Sequence, residues 1–260
     1  MNEKFDEAEY IRSKYAYSSG EKRAEIFKSN KAHKELLDKI SKVDLINLSI
    51  NTENSDFGAY AVKNDSSDSY YTLFTSANIS SLKEIKKSKF VRPDQPTYDI
   101  FKTDLKYPSL EVSSSESLSG DFSNEYQEGP AIITSDKKTI YFTRSNSTEA
   151  DDDALYLSLY SVNTKMIENE DSIVPFSINN DHYSVMHPSI SNDGKTIFFS
   201  SNLPGGFGGL DLYYCEILDI QTKNTDGELK QIKQLSEPIN LGKFINTEGN
   251  EVFPYFMNDN

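Results

Sequence analysis

A glycine-rich loop is the first stretch of this chain whose residue types could do chemistry. In "LPGGFGGLD" (203–211), four glycines come shortly before an aspartate, Asp211. The glycines are Gly205, Gly206, Gly208 and Gly209. A phosphate-binding loop needs Lys-Ser/Thr after its glycines, at the start of a helix. Here the strand-like run "LDLYYCEI" follows, and the Asp211 carboxylate would repel phosphate. We therefore expect a wide turn between two strands, with Phe207 packed back over it and no bound nucleotide.

Histidine and cysteine are too scarce to make an obvious metal or nucleophile site. The chain has three histidines (His33, His182 and His187) and one cysteine, Cys215, which excludes a disulfide framework and a cysteine zinc site. A metal or catalytic role for His182 with His187 is the alternative to a structural role. We expect His187 to enter an inner strand and hydrogen-bond the neighbouring unit, and Cys215 to be a core thiol.

Acidic residues are abundant, but no pattern singles out a reactive pair among the 41 Asp and Glu. The segment "EADDDA" (149–154) could offer oxygen ligands to Ca²⁺, but the EF-hand pattern is absent, and we expect a solvated loop. There is no Gly-x-Ser-x-Gly motif, and Arg92 and Arg144 are the only arginines after residue 42. We therefore assign no catalytic, cofactor or metal residue and expect the protein not to be an enzyme.

Charge and hydropathy exclude two classes of partner. The net charge is −14, and the acidic excess falls after residue 42, so the surface repels nucleic-acid phosphates. No apolar run approaches the roughly 20 residues that span a bilayer, so we expect no direct membrane insertion of this segment. The charged start "MNEKFDEAEY" has no apolar core of a signal peptide.

Two regions of the chain differ in the spacing of their apolar residues. Residues 1–42 carry apolar residues at helical spacing and predict a short helical segment, which could be the end of a helical repeat array. Residues 43–260 consist of short apolar segments with Asn, Asp, Ser and Gly between them, which is typical of strands joined by turns. We expect a domain boundary between 42 and 43.

The second region repeats itself. "EGPAIITSDKKTIYFTRSN" (128–146) aligns with "MHPSISNDGKTIFFSSN" (186–202), each with a proline that opens a strand, Pro130 and Pro188. Each then has a turn with an aspartate, Asp136 and Asp193, where Asp193 is expected to bond local backbone N–H groups and Gly194 to take a positive φ. Weaker copies lie at 55–78 and 250–260, and a third strand that begins at an aspartate recurs at 98–104, 152–160 and 210–217.

Repeated units of three or four short strands indicate a β-propeller, because sheets that cannot bury both faces alone can stack radially. We predict a mainly β fold: a partial propeller of about three four-stranded blades plus the first strand of another, preceded by the helical segment. An ordinary β-sandwich with chance similarity is the competing interpretation. Because a closed ring needs at least about four blades, we also expect the chain to be a truncated piece of a longer protein.

The segment "HPSISNDGKTIFFSSNLPGGFGGLDLYY" (187–214) resembles the TolB-like, WD-like propeller repeat of OmpA-family, peptidoglycan-associated outer-membrane proteins of Bacteroidetes. The resemblance covers about residues 43–260 and is most specific over Pro188–Tyr213. It departs from the family in the first two units, where "SSLKEIKKSKFVRPDQPTYDI" and "STEADDDA" replace the glycine-rich link.

The resemblance implies a periplasmic scaffold associated with the outer membrane that binds other envelope proteins, and type IX secretion is one role it allows. It implies contact with peptidoglycan only through a separate OmpA-type domain. Two other functions are left open: a propeller enzyme that acts on glycans, and a propeller that binds a small ligand or Ca²⁺. No cofactor is predicted.

Overall fold

A computed structural model describes residues 46–65, 67–77, 98–118, 126–145, 156–167, 172–223 and 229–257. The chain divides between Asn47 and Leu48 into two units, and the second is described here. The predicted helical segment 1–42, the predicted boundary at 42/43, His33, Arg92 and the acidic loop 149–154 lie outside the described residues.

The second unit is built from β-strands, which confirms the mainly β prediction. The strands are β1 Asp56–Lys63, β2 Ser69–Ser76, β3 Asp99–Lys106, β4 Glu116–Ser117, β5 Glu128–Ile133, β6 Thr139–Ser145, β7 Leu157–Asn163, β8 Val174–Pro175, β9 Val185–Ile190, β10 Thr196–Ser201, β11 Asp211–Lys223, β12 Leu229–Leu235 and β13 Ile239–Asn240. A short 3-10 turn, Thr164–Met166, follows β7.

The strands form three antiparallel sheets in chain order. The first sheet is β1-β2-β3-β4, and the second is β5-β6-β7-β8. The third is β9-β10-β11-β12, in which β11 also pairs with β13 near its beginning. Each sheet therefore begins with a hairpin and adds a third and a fourth strand outward, as the repeat predicted.

The hairpin turns of the second and third sheets are made by the same side-chain contacts. The Asp193 carboxylate accepts hydrogen bonds from Ser191 Oγ (2.6 Å) and Lys195 N (3.1 Å), and Gly194 has φ 69°. The Asp136 carboxylate accepts equivalent bonds from Thr134 Oγ1 (2.7 Å) and Lys138 N (3.1 Å). In each turn the hydroxyl bond is the main reason that the pKa of the aspartate is lowered.

Two buried clusters join neighbouring sheets. One lies between the first and second sheets and includes Leu73, Ile133 and Phe142, while the other lies between the second and third and includes Tyr141 and Phe199. Alternating apolar positions on the strands supply both clusters, because successive side chains of a strand point to opposite faces. The second sheet thus packs against the first on one face and against the third on the other.

The last described segment, Glu251–Met257, covers the stretch predicted to be the first strand of a further sheet, with no described strand paired beside it. Among the described residues it has no ladder partner. It still follows the third sheet closely, since Asn250 forms a bridge with Leu210 and Phe256 N donates to Ser189 Oγ on β9 (2.9 Å). In the described part of the chain, no helix has the length and apolar character to cross a membrane.

Candidate functional site: where the inner strands meet

The first strands of the three sheets and the segment Glu251–Met257 share an unusual backbone feature. Each contains one residue with positive φ: Gly58 (64°), Gly129 (106°), His187 (56°) and Phe253 (56°). In β1, β5 and β9 this residue lies within a register shift against the second strand, as a β-bulge does. Glycine takes this conformation without strain, whereas His187 and Phe253 take it at a steric cost.

Three of these positions, Gly58, His187 and Phe253, and the residue after Gly129 line one cavity of about 280 Å³. Its wall is made by residues from all three sheets and from the last segment: Gly58, Ala59, Tyr60, Pro130, Ala131, Ile132, His187, Pro188, Phe253, Pro254 and Tyr255. The predicted strand-opening prolines Pro130 and Pro188 therefore lie together here. The cavity is the place where the four inner segments meet.

Aromatic contacts hold the last segment against both the first and the third sheets. On the side of the third sheet, the Phe253 ring stacks on His187 with centroids 4.0 Å apart, and Phe256 stacks on Phe198 at 5.5 Å. On the side of the first sheet, Phe253 meets Phe57 edge-on at 6.4 Å, and Tyr255 lies 6.3 Å from Tyr60. The beginning and the end of the described region are thereby in contact.

His187 is the one titratable imidazole in this wall. Its backbone N donates to Thr143 Oγ1 of the second sheet (3.0 Å), which is the bond to a neighbouring unit that the sequence predicted. Its Nδ1 is buried and has no hydrogen-bond partner among the described residues. Burial lowers the pKa of His187 to about 4, so the ring is neutral at pH 7.

The other candidate groups do not join His187. His182 is exposed, and its backbone N donates to Asn180 Oδ1 (2.9 Å). Within the described ranges no three His, Cys, Asp or Glu side chains form a group able to hold a metal ion. Cys215 is fully buried, and burial is the main cause that raises its pKa to about 12, so the thiol stays protonated.

The segment before β1 and the segment before Phe253 fold in the same way. In "NTENSD" (51–56), the Asp56 carboxylate accepts bonds from Thr52 N (2.6 Å) and Thr52 Oγ1 (3.0 Å). In "NTEGNE" (246–251), the Glu251 carboxylate accepts the same two bonds from Thr247, and the bond to its backbone N is 2.9 Å long. The two acids stand two residues before Gly58 and Phe253, so they are equivalent positions of the repeat.

A buried serine ends the second strand of each sheet and bonds the entry of the inner strand. Ser76 Oγ donates to the Asp56 carboxylate (2.6 Å), Ser145 Oγ accepts from Gln127 N (3.1 Å), and Ser201 Oγ donates to Ser184 O (2.6 Å). In the third sheet Ser201 also pairs with Val185, as Ser76 pairs with Asp56 in the first. The serine is therefore a recurring partner for the position that Glu251 occupies in the last segment.

A buried ion pair lies at the entry of the second sheet. Arg144 Nη2 is 2.6 Å and Nε 2.7 Å from Glu128 Oε1, and both side chains are buried. The guanidinium also lies over three rings, those of Tyr126, Phe142 and Tyr160. The pairing of Arg144 with Glu128 was not predicted from the sequence, because it depends on the antiparallel register of β5 and β6.

Backbone N–H groups of the glycine loop bind the Asp211 carboxylate. Asp211 is buried and accepts hydrogen bonds from Phe207 N (2.6 Å), Gly208 N (3.0 Å) and Asn240 Nδ2 (2.8 Å). A Cβ on Gly206 would lie 2.5 Å from Asp211 Oδ2, so this glycine lets the loop close over the carboxylate. Gly205 supplies a positive φ of 93° with open space around it.

The rest of the loop is pressed against the entry of the last segment. A Cβ on Gly208 would lie 2.4 Å from both Thr247 O and Gly249 O, and one on Gly209 would lie 2.4 Å from Asn250 Oδ1. Backbone bonds from Gly209 N to Gly249 O (2.7 Å) and from Glu251 N to Leu210 O (2.6 Å) join the two segments. Phe207, which we predicted to pack back over the loop, has half of its surface (50%) exposed.

Two asparagines that the sequence analysis missed fix the third strands. Asn179 bonds both the N–H and the C=O of Leu159 on β7 (2.9 and 2.7 Å), and Asn246 bonds both groups of Leu212 on β11 (2.8 and 3.0 Å). Each follows an isoleucine, in "SINN" (177–180) and "FINT" (244–247), and "SINT" (49–52) is a third copy. This Ile-Asn repeat is the signal that could have found them.

Comparison with known proteins gives distant structural likeness alone. No family model matches the sequence, and no curated protein matches it. Among the solved structures that match is one titled "Crystal structure of puromycin hydrolase", with a TM-score of 0.42 and 11% sequence identity. The match covers 73% of this chain and 24% of that chain, so this chain spans about a quarter of that protein's length.

This match contradicts the expectation that the chain is not an enzyme, because the matched protein is named as a hydrolase. We withdraw that expectation. At 11% identity and a TM-score of 0.42, the likeness does not carry the hydrolase activity over to this chain.

Proposed function

We propose that this chain is a propeller-type module that binds other proteins. In this proposal the three sheets are blades, β1, β5 and β9 are their inner strands, and Glu251–Met257 is the inner segment of a fourth position. The equivalent bulges at Gly58, Gly129 and His187 support the blade interpretation, since each inner strand turns at the same point toward one central cavity.

The observation that carries the binding function is a group of exposed apolar side chains on the last segment and shortly before it. It consists of Phe244, Ile245, Val252, Phe253, Tyr255, Phe256 and Met257, and Phe244 has 96% of its surface exposed. Large exposed apolar patches are rare on monomeric proteins, and where they occur they mark interaction sites. Aromatic residues are the type most enriched at the centres of protein interfaces.

The cellular setting is proposed from the resemblance of Pro188–Tyr213 to TolB-like repeats of OmpA-family proteins. By that likeness the module works in the periplasm, in a protein associated with the outer membrane, and its partners are other envelope proteins. A role in type IX secretion falls within this proposal. Binding to peptidoglycan is assigned to a different domain, because the resemblance places it in the OmpA-type domain.

Photo-crosslinking in the native cell tests this function. A photoreactive phenylalanine analogue at Phe244 should capture protein partners in the envelope fraction, with the chain expressed from its own locus. The matched control is the same analogue at Tyr107, an aromatic residue in the turn directly after β3 that is 61% exposed. Crosslinks from 244 and few from 107 support the proposal. A chain found in the cytoplasmic fraction, without crosslinks from either position, would refute it.

A further inference from the structure

A cavity of about 750 Å³ lies between the outer parts of the second and third sheets. Its wall is formed by β6, β7 and the segment around β8 on one side, and by Ile217 of β11 with the last residues of β12 on the other. These residues lie between Thr139 and Leu235, so the cavity does not involve the last described segment. Its volume is within the range of sites that bind small organic molecules, about 300–1,000 Å³.

The wall of this cavity is mainly apolar. Ile217 and Leu235 are buried on the side of the third sheet. On the side of the second sheet, Phe176 stacks on Tyr141 with ring centroids 5.6 Å apart. Apolar cavities hold water poorly and accept apolar guests, and aromatic side chains favour contact with further rings. The body of a fitting ligand is therefore apolar and aromatic.

The Tyr141 hydroxyl gives the cavity a polar contact point. Tyr141 is 2% exposed, and its hydroxyl has no hydrogen-bond partner among the described residues. A buried hydroxyl without a partner costs stability, which a ligand that bonds it recovers. The exposed side chains at the rim, Val174 and Lys233, are free to change rotamer so that a ligand can reach the hydroxyl.

The charges around the cavity favour a neutral ligand that carries a hydrogen-bond donor. Burial, and then the carboxylates of Asp136 and Asp219, raise the pKa of Tyr141 to about 12, so its hydroxyl is neutral at pH 7. The same two carboxylates make the field at the hydroxyl negative, which repels an anion and attracts an N–H or O–H donor. A cation would lose its hydration in the apolar wall. Asp219 also pairs opposite Lys233 on the β11–β12 ladder, so the charges at the rim offset each other.

We propose that the cavity between the second and third sheets binds a small neutral aromatic molecule whose N–H or O–H group donates a hydrogen bond to the Tyr141 hydroxyl oxygen. This site goes beyond the protein-binding function proposed above and shares no residue with the exposed apolar group around Phe244. Either proposal can therefore fail without the other.

Indole is the probe, because it is a neutral aromatic ring with a single N–H donor. The chain has no tryptophan, so indole fluorescence can be excited selectively, and its anisotropy rises when it binds the full chain. The control ligands are 1-methylindole, which lacks the donor, and indole-3-acetate, which carries a negative charge. We expect indole to bind about fivefold more tightly than 1-methylindole, as one hydrogen bond allows, and indole-3-acetate to bind more weakly than indole.

Three variants of the chain locate the binding. Tyr141→Phe removes the hydroxyl and keeps the ring, so indole and 1-methylindole should bind it equally. Tyr160→Phe is the matched control, because Tyr160 stacks on Phe142 in the cluster between the first and second sheets. It should keep the fivefold preference. Ser161→Phe fills the cavity from β7, next to Tyr141 on the ladder, and should weaken binding of both ligands by about tenfold or more.

A preference for indole that Tyr141→Phe abolishes and Tyr160→Phe keeps supports the site. Thermal melting of Tyr141→Phe at or above that of wild type shows that its effect is not a loss of fold. No rise in indole anisotropy would overturn the site, and so would a preference that Tyr141→Phe leaves unchanged or Tyr160→Phe also abolishes. Tighter binding of indole-3-acetate than of indole would overturn the neutral class of ligand. Crosslinks from Phe244 test the protein-binding function separately, and that function stands if indole fails to bind.

Discussion

His187 occupies a repeat position that two other units fill with glycine. Gly58 and Gly129 take positive φ freely there, whereas His187 takes it at a cost that the stacking on Phe253 and the bond from its N–H to Thr143 help to offset. Its ring is therefore fixed in an apolar wall with a buried Nδ1. A neutral imidazole suits this wall, and an imidazolium does not.

Stability is expected to fall as pH drops from about 6.5 to about 4, the two pKa values of His187 in the unfolded and folded states. Above pH 6.5 the ring is neutral in both states, so the histidine has no effect on the pH dependence. Between the two values the unfolded chain binds a proton that the folded chain does not, which favours unfolding. Asparagine tolerates positive φ and does not titrate. We therefore expect the free energy of unfolding to fall by about 2 kcal/mol less in His187→Asn than in wild type between pH 7 and 4.5.

Urea denaturation of both proteins at the two pH values measures this difference. Carboxylates titrate in the same range, but they are common to both proteins and cancel in the comparison. Parallel losses in wild type and His187→Asn would mean that His187 is protonated in the folded state at pH 4.5.

At the scale of elements, the glycine loop packs closely against the segment that leads into Glu251–Met257. Gly208 has the carbonyl oxygens of Thr247 and Gly249 where a Cβ would lie, so a side chain there must push the two segments apart. Gly194, in the β9–β10 turn, has open space around it and only a positive φ to maintain. Substitutions at these two glycines therefore distinguish the effect of a steric contact from the effect of backbone conformation.

Gly208→Ala should therefore destabilise the fold by about 2–3 kcal/mol, because a backbone contact cannot rotate out of the way. Gly194→Ala, the matched control, should cost about 1 kcal/mol through its positive φ alone. Thermal unfolding of the two variants checks the order. Equal losses would show that the loop and the last segment are not in contact.

The Glu128–Arg144 pair is expected to be needed as a pair. Arg144→Met leaves a fully buried carboxylate without its guanidinium, and breaking such a pair costs about 3–5 kcal/mol. Adding Glu128→Gln should recover much of this loss, because the buried charge is then gone. Free energies of unfolding of the single and double variants are the measurement. A double variant as unstable as Arg144→Met would argue against a buried charge as the cause.

The strands were predictable from the sequence where their determinants are local. The turns at Asp136 and Asp193 are made by side chains within three residues, and the third strand of a unit begins at Asp99 or Asp211 as the repeat indicated. The partners of Arg144 and Asn246 were not predictable, because they depend on register and on contacts between segments distant in the sequence.

On the scale of the whole molecule, the acidic chain arranges three sheets and a final extended segment around one cavity. The sheets are joined by cores between neighbours, and the last segment joins the third sheet to the first through aromatic contacts. That last junction matters most, because the cavity wall is complete only if the end of the described region meets its beginning.

A double-mutant cycle between Tyr60 and Tyr255 tests this junction directly. The rings are 6.3 Å apart although they lie near opposite ends of the described region. From urea unfolding of Tyr60→Leu, Tyr255→Leu and the double variant, we expect a coupling free energy of about 0.5–1.5 kcal/mol, as for other aromatic pairs in contact. Additive losses, with a coupling indistinguishable from zero, would contradict the account.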